Sequence, residues 1–139
     1  MMFETRSIGI DLRPNSVKIA VAATHGRQTR IIDLIEKQVP ESAPEEIKDL
    51  SAAIIREAFL ENDLNGDTCV VGLPASATIN RQMLSPITDP TKIRQTLKFQ
   101  MEPQIPYPVD QVIADFIPLR KTSEGTELLA IAVTKDIIS

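Results

Sequence analysis

Seven of the ten prolines in this 139-residue chain fall after residue 73, at positions 74, 86, 90, 103, 106, 108 and 118. Proline fixes φ and has no backbone N–H, so it stops helices and is kept out of central strands. The second half of the chain is therefore read as shorter elements separated by proline, and the first half as regular β/α structure. Pro74 marks the change, and the chain is read as two parts, residues 1–74 and 75–139. A chain of this length makes one domain or two small lobes.

In the first part, residues 7–12 and 16–22 read as strands. In the second of these, Val17, Ile19 and Val21 alternate with Lys18 and Ala20, the period of a half-buried strand. A turn at residues 25–27 leads to a third strand, residues 30–39, whose apolar residues are Ile31, Ile32, Leu34 and Ile35. Three strands joined by short turns make an antiparallel meander. Ser42-Ala43-Pro44-Glu45 has the form of a capping box, in which Ser42 accepts from the N–H three residues on. The helix behind it is predicted to reach about residue 63. Ile47, Leu50, Ile54 and Ala58 form its inner stripe, and Ile55 and Phe59 widen it. Asn65-Gly66 ends the segment. Residues 68–73, TCVVGL, are nearly all apolar, as in a strand covered on both faces. The order is β-β-β-α-β.

In the second part, residues 77–84 form a strand with Ile79 and Met83 on one side and Gln82 and Leu84 on the other. Asp89-Pro90 is a helix start, a capping carboxylate before a proline at the first helical position. Ile93, Leu97 and Met101 follow at spacing four, and Pro103 stops the helix. Ile105-Pro106-Tyr107-Pro108 is an extended connector, because residues before proline avoid the helical region. Residues 112–119 and 127–134 are two further strands joined by a polar turn at 122–125. The second order is β-α-β-β. Residues 135–139 read as the first turn of a helix, which suggests a piece of a longer protein.

The net charge of −4 and a pI near 5.0 argue against a nucleic-acid surface. The one cysteine, Cys69, excludes an internal disulfide, and no Cys/His cluster suggests zinc. Cys69 lies in the apolar run and is read as a small buried hydrophobe. No apolar stretch approaches the ~20 residues that cross a bilayer, so any membrane work is done through partners. His25 is the single histidine and is read as a solvated turn residue. Asp110 ends the connector, and Asp115 points outward from its strand, so the two are not a catalytic pair. Glu45 and Glu46 favour the helix dipole. Arg81, Arg94 and Lys98 read as scattered solvated charges rather than a phosphate or lipid site. Leu84 and Phe99 lie off the apolar stripes and, with Met83, either line a peptide groove or are covered by another part of the protein.

The opening Ile8-Gly9-Ile10-Asp11 hairpin in a β-β-β-α-β order resembles the ribonuclease-H-like half of actin-type ATPases. The strings VVGLPASATINRQMLSP, IPYPVDQVIADFIPL and ELLAIAVTK narrow this. They resemble the type IV pilus assembly protein PilM and its relative, the cytoplasmic domain of type II secretion GspL, with FtsA a more distant cousin. The resemblance implies an α/β fold: a ribonuclease-H-like, actin-like first lobe at residues 1–74, a β-α-β-β unit inserted at 75–139, and an end before the second lobe. It implies a cytoplasmic scaffold peripheral to the bacterial inner membrane. Such a scaffold binds an N-terminal cytoplasmic segment of an inner-membrane pilus or secretion protein, in a groove between first lobe and insert, and connects it to the assembly ATPase. Self-association is left open, and a nucleotide-binding switch of the FtsA kind is the alternative.

The family's phosphate hairpin reads approximately Asp-x-Gly-Ser-x-Ser-x-Lys. Asp11, Ser16 and Lys18 match, but Arg13 replaces the glycine and Pro14 the small hydroxyl residue. Glycine lets backbone approach a phosphate closely, which arginine does not. Proline removes one of the converging N–H groups by which such turns hold phosphate. The expectation is a non-enzymatic chain without catalytic residues, metal or cofactor, ATP binding by the intact protein being the alternative.

Overall fold

A computed structural model describes residues 3–65 and 68–138, and the chain divides into two compact units, Met1–Pro74 and Ala75–Ser139. The first unit contains β1 (Thr5–Leu12), β2 (Ser16–His25), β3 (Gln28–Gln38), α1 (Pro44–Glu61) and β4 (Thr68–Gly72). Its four-stranded sheet has the order β3-β2-β1-β4. β1 to β3 form the antiparallel meander, and β4 joins β1 in parallel. The period-2 alternation decides which side is buried: Ile8, Ile10, Val17, Ile19 and Val21 share one face with Ala58 and Leu64. Gly9, Asp11, Lys18 and Ala20 share the other.

Two expectations need correction here. The start of α1 is not a capping box. Pro44 takes the first helical position, so the cap falls on Ala43, which makes no side-chain bond. Ser42 Oγ instead donates to the Pro40 carbonyl at 3.1 Å. The apolar run of β4 is not covered on both faces: all five of its residues are exposed, Val70 by 67% and Val71 by 47%. Cys69 is exposed with them. α1 packs over β2, two strands away, which leaves Cys69 and Val71 uncovered, and Val70 lies on the face opposite α1. The Asn65-Gly66 stop lies partly outside the described residues.

Lys37 Nζ lies 2.8 Å from Glu61 Oε2, tying the end of β3 to the end of α1. That hydrogen bond and the Glu61 charge raise the Lys37 pKa above its ordinary 10.5. A raised pKa means that the folded state binds this proton more tightly. The contribution is therefore complete below about pH 10.5 and fades as the pH rises through the raised value. The urea midpoints of the native chain and Lys37→Met are expected to differ slightly at neutral pH, and to converge in strong base and in high salt.

The second unit contains β5 (Ile79–Ser85), α2 (Pro90–Met101), β6 (Val112–Thr122), β7 (Gly125–Thr134) and the single turn α3 (Lys135–Ile138). Its three strands have the order β5-β7-β6, with β7 antiparallel to both neighbours. Asp89 caps α2 as expected, its Oδ1 accepting from Thr91 N at 3.0 Å, with Pro90 at the first helical position. Ile93, Leu97 and Met101 pack on Val112, Phe116, Leu128, Ala130 and Ala132, so α2 covers one face of the sheet. Ile79 and Met83 of β5 join that core, which leaves Leu84 on the opposite face.

Candidate functional site

The bend between β1 and β2 is where a phosphate would be held in the hairpin pattern. Leu12 pairs with Val17, and the Arg13 N–H donates to the Ser16 carbonyl at 3.0 Å. Pro14 has no N–H to offer. Of the four residues from 13 to 16, two therefore have no amide hydrogen to aim at a ligand. The Asn15 carbonyl is bonded to the Val39 N–H at 2.8 Å, which fixes the bend against the end of β3.

The side chains close the bend further. Arg13 Nε lies 2.8 Å from Asp11 Oδ2. That hydrogen bond, reinforced by the Asp11 charge, raises the Arg13 pKa. Asp11 sits in register with Lys18, and Lys18 with Glu36, whose Oε1 is 4.0 Å from Lys18 Nζ. Ser16 is buried, 5% exposed. The structure thus gathers Asp11, Ser16 and Lys18 at one end of the sheet, with the carboxylate bound by an arginine and the ammonium beside a carboxylate.

Next to this charged row lies a shallow trough of about 610 Å³ on the face opposite α1. Its floor is made by Gly9 and Ala20, and its rims by Leu34 of β3 and Val70 of β4. These four residues form one cross-strand row, Leu34–Ala20–Gly9–Val70. A methyl group built on Gly9 meets nothing within 4 Å. No local sequence pattern reveals this trough, because its shape depends on which strands lie beside β1.

Met83, Leu84 and Phe99 do not form one groove. Met83 packs into the core of the second unit, whereas Leu84 is 42% exposed on the sheet face away from α2. Phe99 is 55% exposed on α2, with Lys98 Nζ 5.6 Å from its ring centre. Ile113 and Ile117 of β6 lie in register with Val133 and Leu129 and are also exposed on the face away from α2. Alternation within β6, apolar on both sides of the strand, is the signal that would have found them. Arg94 is not isolated: it lies 3.4 Å from Asp115 and over the Phe116 ring at 5.4 Å. Among the described residues no group of acidic, cysteine or histidine side chains is placed to hold a metal ion.

Residues 9–139 match the family described as type IV pilus assembly protein PilM. The chain belongs to that family. The PilM fold is equally clear in solved structures. A chain of the PilM-PilN type IV pilus biogenesis complex superimposes with a TM-score of 0.79 over 95% of this chain, at 20% identity. This chain spans 41% of that one's length. The cytoplasmic domain of EpsL, an inner-membrane component of the type II secretion system of Vibrio cholerae, gives a TM-score of 0.56 over 98% of this chain, at 18% identity. It is matched over 49% of its own length. No curated protein sequence matches. The fold of this PilM-family chain is therefore that of the PilM and GspL domains: an actin-like, ribonuclease-H-like β-β-β-α-β unit followed by a β-α-β-β unit.

Proposed function

We propose that this PilM-family chain is a scaffold of a type IV pilus or type II secretion assembly platform and not an enzyme. It holds a short segment of an inner-membrane partner and links that partner to the assembly ATPase. One observation carries the reading: the bend that would seat a phosphate is filled by its own chain, through the Arg13–Asp11 pair, the Arg13 N–H bond to Ser16 and the imino nitrogen of Pro14. Converging, unengaged N–H groups are what such a bend needs to bind an anion. Membership of the PilM family supports the rest, as does a solved relative in complex with PilN. No described helix is long and apolar enough to cross a membrane.

The scaffold reading is tested by titrating the chain with the N-terminal segment of the membrane protein that assembles with it, followed by calorimetry. Saturable binding is expected, and absence of binding up to millimolar segment sinks the reading. The nucleotide half is tested separately. Magnesium-ATP is expected to leave the thermal midpoint of the native chain unchanged, because a ligand raises the midpoint only by binding the folded state. The pair Arg13→Gly with Pro14→Ser restores the missing amide and the close approach. A nucleotide shift confined to that variant would assign the loss to these two residues. A shift in the native chain would favour a nucleotide switch instead.

A further inference from the structure

Sheet edges differ in how they are protected, and the difference is legible in the second unit. The β6–β7 hairpin closes on the Thr122–Gly125 pair around the two residues Ser123 and Glu124. The closing pair of a two-residue hairpin is hydrogen-bonded, so the odd residues of β7 turn their N–H and C=O toward β6 and the even ones toward β5. Ala132, Ala130 and Leu128 pair with Ile79, Arg81 and Met83. Asn80, Gln82 and Leu84 therefore aim their N–H and C=O groups outward from the sheet. An independent contact agrees: the Asn80 carbonyl accepts from the Arg81 guanidinium at 2.8 Å, on the open side of the strand.

The opposite edge is blocked. Pro118 pairs with Leu128, so its missing N–H falls on the outer side of β6. The register also slips between Pro118 and Arg120. Proline and a bulge are the devices that keep an edge from pairing with another strand. In the first unit, β3 carries a bulge at Ile32 and the charges of Arg30, Asp33, Glu36 and Lys37. β5 has none of these: seven residues, unbroken register, no proline and one charge, Arg81. β4 is also plain, but it is five residues long and has no charge to select a partner.

We infer that the outer edge of β5 takes an extended segment by strand addition, one with an acidic residue between two apolar residues at alternate positions. This rests on the scaffold reading and names the surface and the chemistry. A row of outward N–H and C=O groups is satisfied by another strand and by little else. Alternate side chains of the added strand lie beside Ile79, Arg81 and Met83. The outer two are apolar and half-buried, and the central one is an exposed cation. The arriving strand replaces Arg81 on the Asn80 carbonyl and frees the guanidinium for its carboxylate.

The probe is a terminally blocked peptide, Lys-Thr-Ile-Thr-Glu-Thr-Ile-Thr-Lys, against a control with Lys at the central Glu. Amide exchange of the whole chain is followed with and without peptide. The expected result is about tenfold slower exchange at Gln82 and Leu84, with the amides of β4 unchanged. Gln82→Pro removes an outward N–H without touching the β7 ladder and is expected to weaken binding about tenfold. If that variant unfolds, a peptide N-methylated on its pairing side makes the same test. Arg81→Glu is expected to reverse the preference between the two peptides. Protection at β4 or β3, or equal affinity for both peptides, overturns the inference. If the natural partner segment binds while β5 exchange is unchanged, this surface is wrong and the scaffold reading stands. If neither binds, the reading itself fails.

Discussion

Gly125→Ala is expected to unfold the second unit. Gly125 has φ of 141°, a region that side-chain-bearing residues rarely enter, and that strain alone costs about 1–3 kcal/mol. The larger effect is steric. A methyl group there would lie 1.9 Å from the Ser85 carbonyl oxygen and 2.9 Å from the Pro86 Cα. Both are backbone atoms and cannot rotate away. The backbone in question is also anchored: Ser85 Oγ accepts from the Ile87 N–H at 3.3 Å, and Thr126 Oγ1 donates to the Ile87 carbonyl at 3.1 Å. Relief would require opening the β5–β7 ladder at its Ser85–Thr126 end. A whole domain is held by only about 5–15 kcal/mol, so a loss of this kind removes most of it. Amide exchange read unit by unit is the measurement. Protection should collapse across β5, β6 and β7 and persist in β1 and β2. A variant with a native urea midpoint would mean that the Ser85–Pro86 segment can withdraw without loss.

The second large effect is expected of Leu97→Ala. Leu97 is fully buried and sits between Ile93 and Met101 on the face of α2 that meets the sheet. Its removal loses the transfer energy of the deleted groups and leaves a cavity that neighbours fill only partly, together about 2–5 kcal/mol. Phe116 and Leu128 are strand residues fixed by their ladders, which limits collapse into the space. Leu60→Ala is the matching control. Leu60 is 80% exposed on α1, and its loss is expected to stay within about 0.5 kcal/mol. Urea midpoints of the three proteins decide the point; a Leu97 variant as stable as the Leu60 variant would contradict the packing of α2.

The order of elements was legible because it is written in local periods. Val17, Ile19 and Val21 alternate, Ile93, Leu97 and Met101 repeat every fourth residue, and Asp89-Pro90 starts a helix without help from anything distant. The altered bend was legible too, since the substitutions at 13 and 14 act through their own backbone chemistry. What failed depended on neighbours. TCVVG has the composition of a buried strand, but burial requires something laid against it, and α1 lies over β2. The two faces of β5 were legible, with Met83 turned to the core and Leu84 away from it, but which exposed apolar residues lie near one another is set by the packing of α2 on the sheet. The Lys37–Glu61 pair joins residues 24 apart, which no local pattern reveals. The cap of α1 was a misreading of a local signal: a proline at the first helical position places the cap one residue before it, at Ala43.

The unequal borders of the three-stranded sheet bear on growth as well as on recognition. An assembly that elongates without limit needs a sticky margin at each end of the repeating piece. Here the imino acid at 118 silences one margin, so copies that pair edge to edge in this sheet would do so β5 to β5, by a twofold axis. Such an encounter closes after two molecules. By this route the second unit can form a pair and never a fibre.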